Sequence, residues 1–158
     1  DVERVEVATH SQAVRIAGNP RPRTPYEAKF SIHYCVAIAL LKGRPGLADF
    51  SEELLADERV RKLMEKVSVE VDPEIDAQFP AKWPARVRIR TRDGRVLEAL
   101  VEHPLGDPEN PMSFEDVEAK MADLARGILA EEKAREAARL VRGLERLGDV
   151  RELMELLA

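Results

Sequence analysis

The positions of the prolines constrain this 158-residue chain more than any other feature of its sequence. All ten prolines lie between Pro20 and Pro111, and none follows. Each proline fixes its own φ and disfavours helix at the preceding residue, so this region must consist of short elements joined by turns. The proline-free remainder can form longer helices. The sequence therefore predicts a mixed α and β region followed by a helical C-terminal tail.

One helix start in the proline-bearing region is well marked. Residues 24–27 supply an N-cap hydroxyl, a proline at the first helical position and an acid at the third. We expect one helix from there to about Lys42, ended by Gly43. Its second half, residues 35–41, is apolar on every face, which predicts burial on all sides. Because one small sheet covers one side only, this helix is expected to need more cover than the chain supplies.

Alternating apolar and charged residues predict four strands, at residues 2–8 and 67–71 and on both arms of a hairpin at 86–102. The hairpin pattern also selects the loop. A three-residue loop with Gly94 left-handed pairs Ile89 with Leu97 and Arg88 with Glu98, which keeps each face of the hairpin uniform. A two-residue loop would mix the faces.

Short polar caps predict the remaining helices, and the element order is β-α-α-β-β-β-α-α. The predicted starts are Ser51, Asp57, Ser113, about Glu131 and Asp149, for helices at 52–55, 58–65, from 114 on, 131–147 and a last short one. Residues 73–84 are expected to form an ordered loop or excursion. The fold class is therefore α+β, a two-layer sandwich with a mixed or antiparallel sheet of about four strands, helices on one face and a helical C-terminal tail. We expect a single domain over residues 1–158.

Composition argues against several classes of protein for this chain. The net charge of −5 argues against a nucleic-acid partner, and the longest apolar run is too short to span a membrane. The lone Cys35 excludes an internal disulfide framework and, without a secretory leader, predicts a cytoplasmic protein. The chain opens on Asp1 rather than Met, so we expect either a processed start or a chain cut from something longer.

Most catalytic and binding motifs are not supported by the sequence. The three histidines, His10, His33 and His103, are far apart and Cys35 has no companion cysteine, so we expect no metal and no cofactor. Cys35 heads an apolar helical run, which predicts a buried, unreactive thiol. The arginines at alternate positions from 86 to 92 are expected to form an ion-paired sheet face with Glu98 and Glu102.

Polar residues gather at the start of the predicted 24–42 helix. They are Lys29, Ser31, His33 and Tyr34, preceded by Arg21 and Arg23 in the proline-rich loop. Lys29 and His33 are four residues apart, which places them on one helix face. Buried polar groups are costly unless they are satisfied, so these residues either line a cleft or serve packing and capping. Both alternatives stay open at this point.

The same segment carries a resemblance to a known family. Its most specific parts are residues 22–34 (PRTPYEAKFSIHY) with 36–43, and residues 106–113 (GDPENPMS). Between and after them come Asp49-Phe50, residues 67–72, residues 91–94, Lys120 and a leucine-rich tail, in the family's order. With these motifs, nearly the whole chain resembles the C-terminal part of the 2-methylcitrate dehydratase (MmgE/PrpD) family.

The resemblance implies a metal-free hydro-lyase or related enzyme that acts on small tricarboxylic acids, in a homodimer. Family members pair a larger helical domain with a smaller α+β lid domain, and the active site lies between them. The family's proton-transfer His and Lys are expected on the helical domain. A tyrosine that lines the site in the decarboxylase branch has no counterpart in residues 13–17.

The groups that such a reaction needs indicate that this chain supplies only part of an active site. Dehydrating a 2-hydroxy polycarboxylate needs a base, an acid and cations around several carboxylates. The six polar candidates offer cations and hydroxyls but no convincing acid and base facing each other. We therefore expect a lid domain that is inactive alone and is completed by a helical domain in cis or in trans. The alternative is a stand-alone, non-catalytic binding or assembly module that docks through the 24–42 helix.

Overall fold

The structure, a computed structural model, describes residues 1–157. They fall into two compact units, residues 1–110 and a helical unit that starts at Pro111. The strands are β1 (Val2–Thr9), β2 (Val67–Val71), β3 (Ala85–Thr91) and β4 (Val96–Val101). The helices of the first unit are α1 (Ser11–Ala17), α2 (Pro25–Lys29), α3 (Ile32–Lys42), α4 (Glu52–Ala56), α5 (Glu58–Met64) and α6 (Pro73–Asp76). Those of the second unit are α7 (Phe114–Ala125), α8 (Glu131–Arg142) and α9 (Arg151–Leu157).

The four strands form one mixed sheet in the order β2-β1-β3-β4. β1 pairs with β2 in parallel and with β3 antiparallel, and β3 pairs antiparallel with β4. The predicted α+β class and helical tail are confirmed. The hairpin register is confirmed as well, because Ile89 lies opposite Leu97, Arg88 lies opposite Glu98, and Gly94 has φ 85°.

The helix predicted over residues 24–42 is in fact two helices, so the prediction of one continuous helix was wrong. Thr24 caps α2 as predicted, since its side chain accepts from the Glu27 amide. Ser31 then adopts an extended conformation (φ −127°, ψ 107°) and caps α3 by accepting from the Tyr34 amide at 3.2 Å. This break also removes the predicted shared helix face of Lys29 and His33.

Helix α3 lies between two apolar layers, which explains its composition. Ile32, Val36 and Leu40, spaced by four residues, pack with the sheet valines Val5, Val7 and Val67. The other side of α3 contributes Tyr34, Ala37 and Ile38 to a second cluster with α4 and α5 (Leu55, Val60 and Met64). The further cover that the sequence required therefore comes from the same unit. Burial on all sides was nevertheless wrong, because Ala39 is exposed and Leu41 is 42% exposed.

Several short elements differ from the sequence prediction. Helix α1 was not predicted, and its N-cap is the imidazole of His10, whose Nδ1 accepts from the Ala13 amide at 3.2 Å. Histidine is not a favoured capping residue, so the sequence gives little sign of this start. Asp72 caps α6 inside the predicted loop. Helix α8 ends at Arg142, earlier than predicted, and a short 3-10 turn (Leu144–Arg146) follows.

The second unit confirms the capping box at the start of α7, where Ser113 and Asp116 exchange hydrogen bonds. Its small core contains Ala134, Ala137, Ala138 and Leu153. Among the described residues, no helix has the length and apolar character needed to cross a membrane.

Candidate functional site

A cleft of about 680 Å³ opens on the first unit, beside the N-terminus of α3. Its walls come from the loop between α1 and α2, the first turn of α3, and helices α4 and α5. Volumes of roughly 300–1,000 Å³ are common for sites that bind small molecules. The charged or titratable residues on its walls are Arg21, His33, Arg61 and Glu65.

The loop that carries Arg21 is fixed by short hydrogen bonds. The Ser31 hydroxyl donates to the Asn19 carbonyl at 2.6 Å, and the Asn19 side-chain oxygen accepts from the Arg21 amide at 3.0 Å. Gly18 also forms a β-bridge with Ser31, and a Cβ at Gly18 would lie 2.3 Å from the Val14 carbonyl oxygen. Only glycine fits there, so the start of α3 holds the arginine loop at the edge of the cleft.

His33 forms the inner wall of the cleft. Its side chain occupies the second position of α3, and the residue is 7% exposed. Its Nδ1 is buried and has no hydrogen-bond partner among the residues that the structure describes. Burial lowers the pKa of His33 below its usual value of 6.5, because removal from water disfavours the charged ring. The ring is therefore neutral at pH 7.

Arg61 and Glu65 reach the cleft from α5 and the residue that ends it. Arg61 Nε donates to the Leu55 carbonyl at 3.2 Å, which orients the guanidinium, and its terminal nitrogens form no hydrogen bond or ion pair within residues 1–157. Sequence reasoning missed both residues. Their spacing of four places them on one helix face, but no local pattern relates α5 to a loop forty residues earlier.

The structure brings only two of the six predicted site residues, Arg21 and His33, into this cleft. Ser31 is buried and caps α3, and Tyr34 is fully buried with its hydroxyl donating to the Asp49 carbonyl at 2.6 Å. Burial raises the pKa of Tyr34, and the negative charge of Asp49 raises it further. Arg23 and Lys29 are exposed and do not line the cleft. Roles of these six residues in binding substrate remain predictions.

Three of the four arginines that were predicted to form an ion-paired sheet face contact acids, and the fourth, Arg90, forms no ion pair within residues 1–157. Arg86 contacts Asp72, and Arg88 Nε donates to Glu98 at 2.7 Å. Glu102 pairs instead with Lys82, at 2.6 Å. This face therefore presents largely neutralised charge.

Two other groups bear on the chemistry of the chain. Cys35 is half-buried and not fully buried as predicted, but burial raises the pKa of its thiol, which agrees with an unreactive cysteine. His103, Asp107 and Glu109, within residues 1–157, place potential ligand atoms within 4.8 Å of one another in the loop after β4, where His103 and Asp107 are half-buried and Glu109 is exposed. The sequence distance between histidines gave no sign of this group, since its other members are acids. Such surface groups are common without a metal.

A protein-family model and curated relatives match most of this chain. The family model of the MmgE/PrpD C-terminal domain matches residues 1–146. The cis-aconitate decarboxylase of Aspergillus terreus is 34% identical over 139 residues, which are 87% of this chain and 28% of that protein. The 2-methylcitrate dehydratase of Escherichia coli (strain K12) is 34% identical over 112 residues, 67% of this chain and 23% of the relative.

The chain thus spans about a quarter of the length of the curated relatives that it matches. Several of these relatives are named 2-methylcitrate dehydratase. Because the family model covers most of the sequence, the chain belongs to the MmgE/PrpD family, and residues 1–146 correspond to its C-terminal domain.

Proposed function

We propose that this chain forms one side of the active site of a 2-methylcitrate dehydratase-like lyase that acts on small tricarboxylic acids. The observation that carries the proposal is the cleft at the start of α3, which is lined by two arginines, Arg21 and Arg61, and by one acid, Glu65. A local excess of positive charge on a chain of net charge −5 suits a polyanionic substrate.

The proposal assigns binding to this chain and proton transfer elsewhere. A lyase of this type needs a base for a C–H proton and an acid for the leaving hydroxide. The cleft offers one neutral histidine and one exposed glutamate, and the hydroxyls of Ser31 and Tyr34 are already bonded to backbone carbonyls. The chain alone is therefore inactive, and a helical domain, in cis or in trans, supplies the missing groups.

The wider setting follows from the same proposal. The assembled enzyme works as a homodimer in the cytoplasm, where the lone Cys35 stays reduced, and it consumes a tricarboxylate of propionate metabolism. The alternative of a non-catalytic module docking through residues 24–42 has less support. Tyr34, Ala37 and Ile38 are fully buried within the first unit, so these apolar positions of the segment are not free for a partner.

A chimera tests the proposal. The C-terminal part of the E. coli 2-methylcitrate dehydratase is replaced by this chain, and dehydration of 2-methylcitrate and decarboxylation of cis-aconitate are measured for the chimera and for the chain alone. We expect turnover of one of these acids by the chimera and none by the chain. The intact E. coli enzyme is the matched control. Turnover by the chain alone at the rate of the chimera would contradict the division of labour.

A further inference from the structure

The cleft arginines differ from most other arginines of the chain in lacking a counterion. Neither Arg21 nor Arg61 forms an ion pair with any residue in the described range 1–157, whereas Arg86, Arg88 and Arg92 each contact an acid. Arg61 is nevertheless oriented, by its bond to the Leu55 carbonyl. Two guanidiniums on one cleft without partners are a ready receptor for carboxylates, which they bind by paired N–H donors.

His33 adds a third hydrogen-bond donor, and the packing around its ring determines which ring nitrogen carries the proton. A neutral imidazole carries its proton on one nitrogen and accepts on the other. An unpaired buried N–H is rarer in proteins than an unpaired buried acceptor, so the partnerless Nδ1 of His33 is best left without a proton. The proton then resides on Nε2, the nitrogen left to serve the cleft that His33 lines.

The position of His33 favours an anion on that side of the cleft. His33 lies in the first turn of α3, an eleven-residue helix, and helix N-termini carry partial positive charge. Two independent features of the cleft, the start of α3 and the unpaired guanidiniums of Arg21 and Arg61, therefore favour the same anionic ligand. Glu65, which also lines the cleft, disfavours negative charge near it, so it limits where the carboxylates of a ligand can lie.

We propose that the cleft binds a small polycarboxylate through Arg21, Arg61 and the Nε2–H of His33, while Glu65 restricts its orientation. The inference rests on the proposed function, since it names the groups that hold the substrate of that enzyme. It concerns binding alone, and so it is testable on the 158-residue chain without turnover.

The test uses propane-1,2,3-tricarboxylate, a non-reacting tricarboxylate, titrated into the chain at pH 7 by calorimetry. Exposed guanidiniums in half a site predict a Kd of about a millimolar. Arg21→Gln and Arg61→Gln each weaken binding by about two- to fivefold, and Glu65→Gln strengthens it by a similar factor. Arg90→Gln is the matched control. Arg90 is exposed on β3 and, within residues 1–157, is also without an ion pair, but it lies outside the cleft.

A second measurement isolates His33. Nitrogen-15 spectra of the imidazole groups report directly which ring nitrogen carries the proton, and we expect Nε2 in the free chain. His33→Gln retains an N–H donor and should keep binding within about twofold, whereas His33→Phe removes it and weakens binding about tenfold. Circular dichroism and urea unfolding confirm that each variant is folded.

Several results would overturn the inference. They are a proton on Nδ1, equal effects of Arg90→Gln and Arg21→Gln, or no binding of the tricarboxylate by the folded chain. Such a failure is distinct from failure of the proposed function. An active chimera with no binding by the chain removes the inference alone, while binding by the chain with an inactive chimera removes the proposed lyase function alone.

Discussion

Arginine occupies two surfaces of the first unit, and the surfaces differ in what the guanidinium groups contact. On the sheet, Arg86 and Arg88 lie against Asp72 and Glu98. Beside α3, Arg21 and Arg61 make no ion pair within residues 1–157. The comparison teaches that residue type does not identify a binding surface. A guanidinium already paired with an acid stabilises the fold slightly, and one held in place without a counterion is available to a ligand.

The two surfaces also rest on different scaffolds, and the largest expected effect concerns the scaffold of the cleft. Ile38 is fully buried on the side of α3 that packs against α4 and α5. Ile38→Ala should lower the free energy of unfolding by about 2–5 kcal/mol, since it leaves a cavity in a packed core. Urea unfolding measures this loss.

Leu41→Ala is the control on the same helix. Leu41 is 42% exposed, so its truncation should cost about 1 kcal/mol or less. Equal losses for the two variants would show that α3 is not held between two layers as described.

The next effect separates the loop that carries Arg21 from the helix cap beneath it. Ser31→Ala removes the cap of α3 and the hydrogen bond to the Asn19 carbonyl. We therefore expect the free energy of unfolding to fall by about 0.5–2 kcal/mol. The substitution should also weaken tricarboxylate binding, because the Arg21 loop loses its attachment. Ser113→Ala removes the comparable cap of α7 in the second unit, where Ser113 accepts from the Asp116 amide at 3.0 Å. That control should lose similar stability with unchanged binding, and weakened binding in both variants would contradict a specific role of the Ser31 bond.

The pH dependence of stability also distinguishes the two surfaces, because the cleft contains a histidine and strands β3 and β4 contain none. Burial lowers the pKa of His33 in the folded chain below 6.5, so between these two values the unfolded chain binds more protons. The titration of His33 therefore does not change the free energy of unfolding above about pH 6.5. It lowers that free energy as the pH falls towards the folded pKa, by at most about 1.4 kcal/mol per pH unit. Urea unfolding from pH 7.5 to 5 measures the slope. His33→Gln should reduce it, and identical slopes in both proteins would contradict the assignment.

The smallest effect compares one arginine from each surface. Arg88→Gln breaks the pairs with Glu98 and Glu6, which are partly exposed, and should lower the stability of the fold only slightly without changing binding. Arg21→Gln should change stability by less than about 0.5 kcal/mol and weaken binding. Thermal unfolding measures the stability of both variants, and calorimetry measures their binding of the tricarboxylate. Weakened binding in Arg88→Gln, with unchanged binding in Arg21→Gln, would contradict the roles given to the two surfaces.

Sequence patterns predicted the fold better than the site. The alternation on β3 and β4 determined even the pairing of Ile89 with Leu97, because one face of a strand repeats every second residue. Short-range signals failed where a contact was distant in sequence. Ser31 interrupts the predicted 24–42 helix because its hydroxyl bonds to Asn19, twelve residues earlier.

The candidate site was predictable only in part for the same reason. Arg21 and His33 stood out as polar residues next to an apolar helix. Arg61 looked like any charge on an exposed helix face, and only the packing of α5 against α3 brings it to the cleft. Ser31 and Tyr34 were noticed for their hydroxyls, but packing directs those hydroxyls to backbone carbonyls.

The measurement that tests the comparison most directly follows the arginine Nε–H signals of the chain by NMR during addition of propane-1,2,3-tricarboxylate. We predict that the signals of Arg21 and Arg61 shift and saturate together, while those of Arg86 and Arg88 stay in place. Larger shifts on the sheet arginines, or equal shifts on all four, would contradict the claim that the unpaired arginines beside α3 form the binding surface.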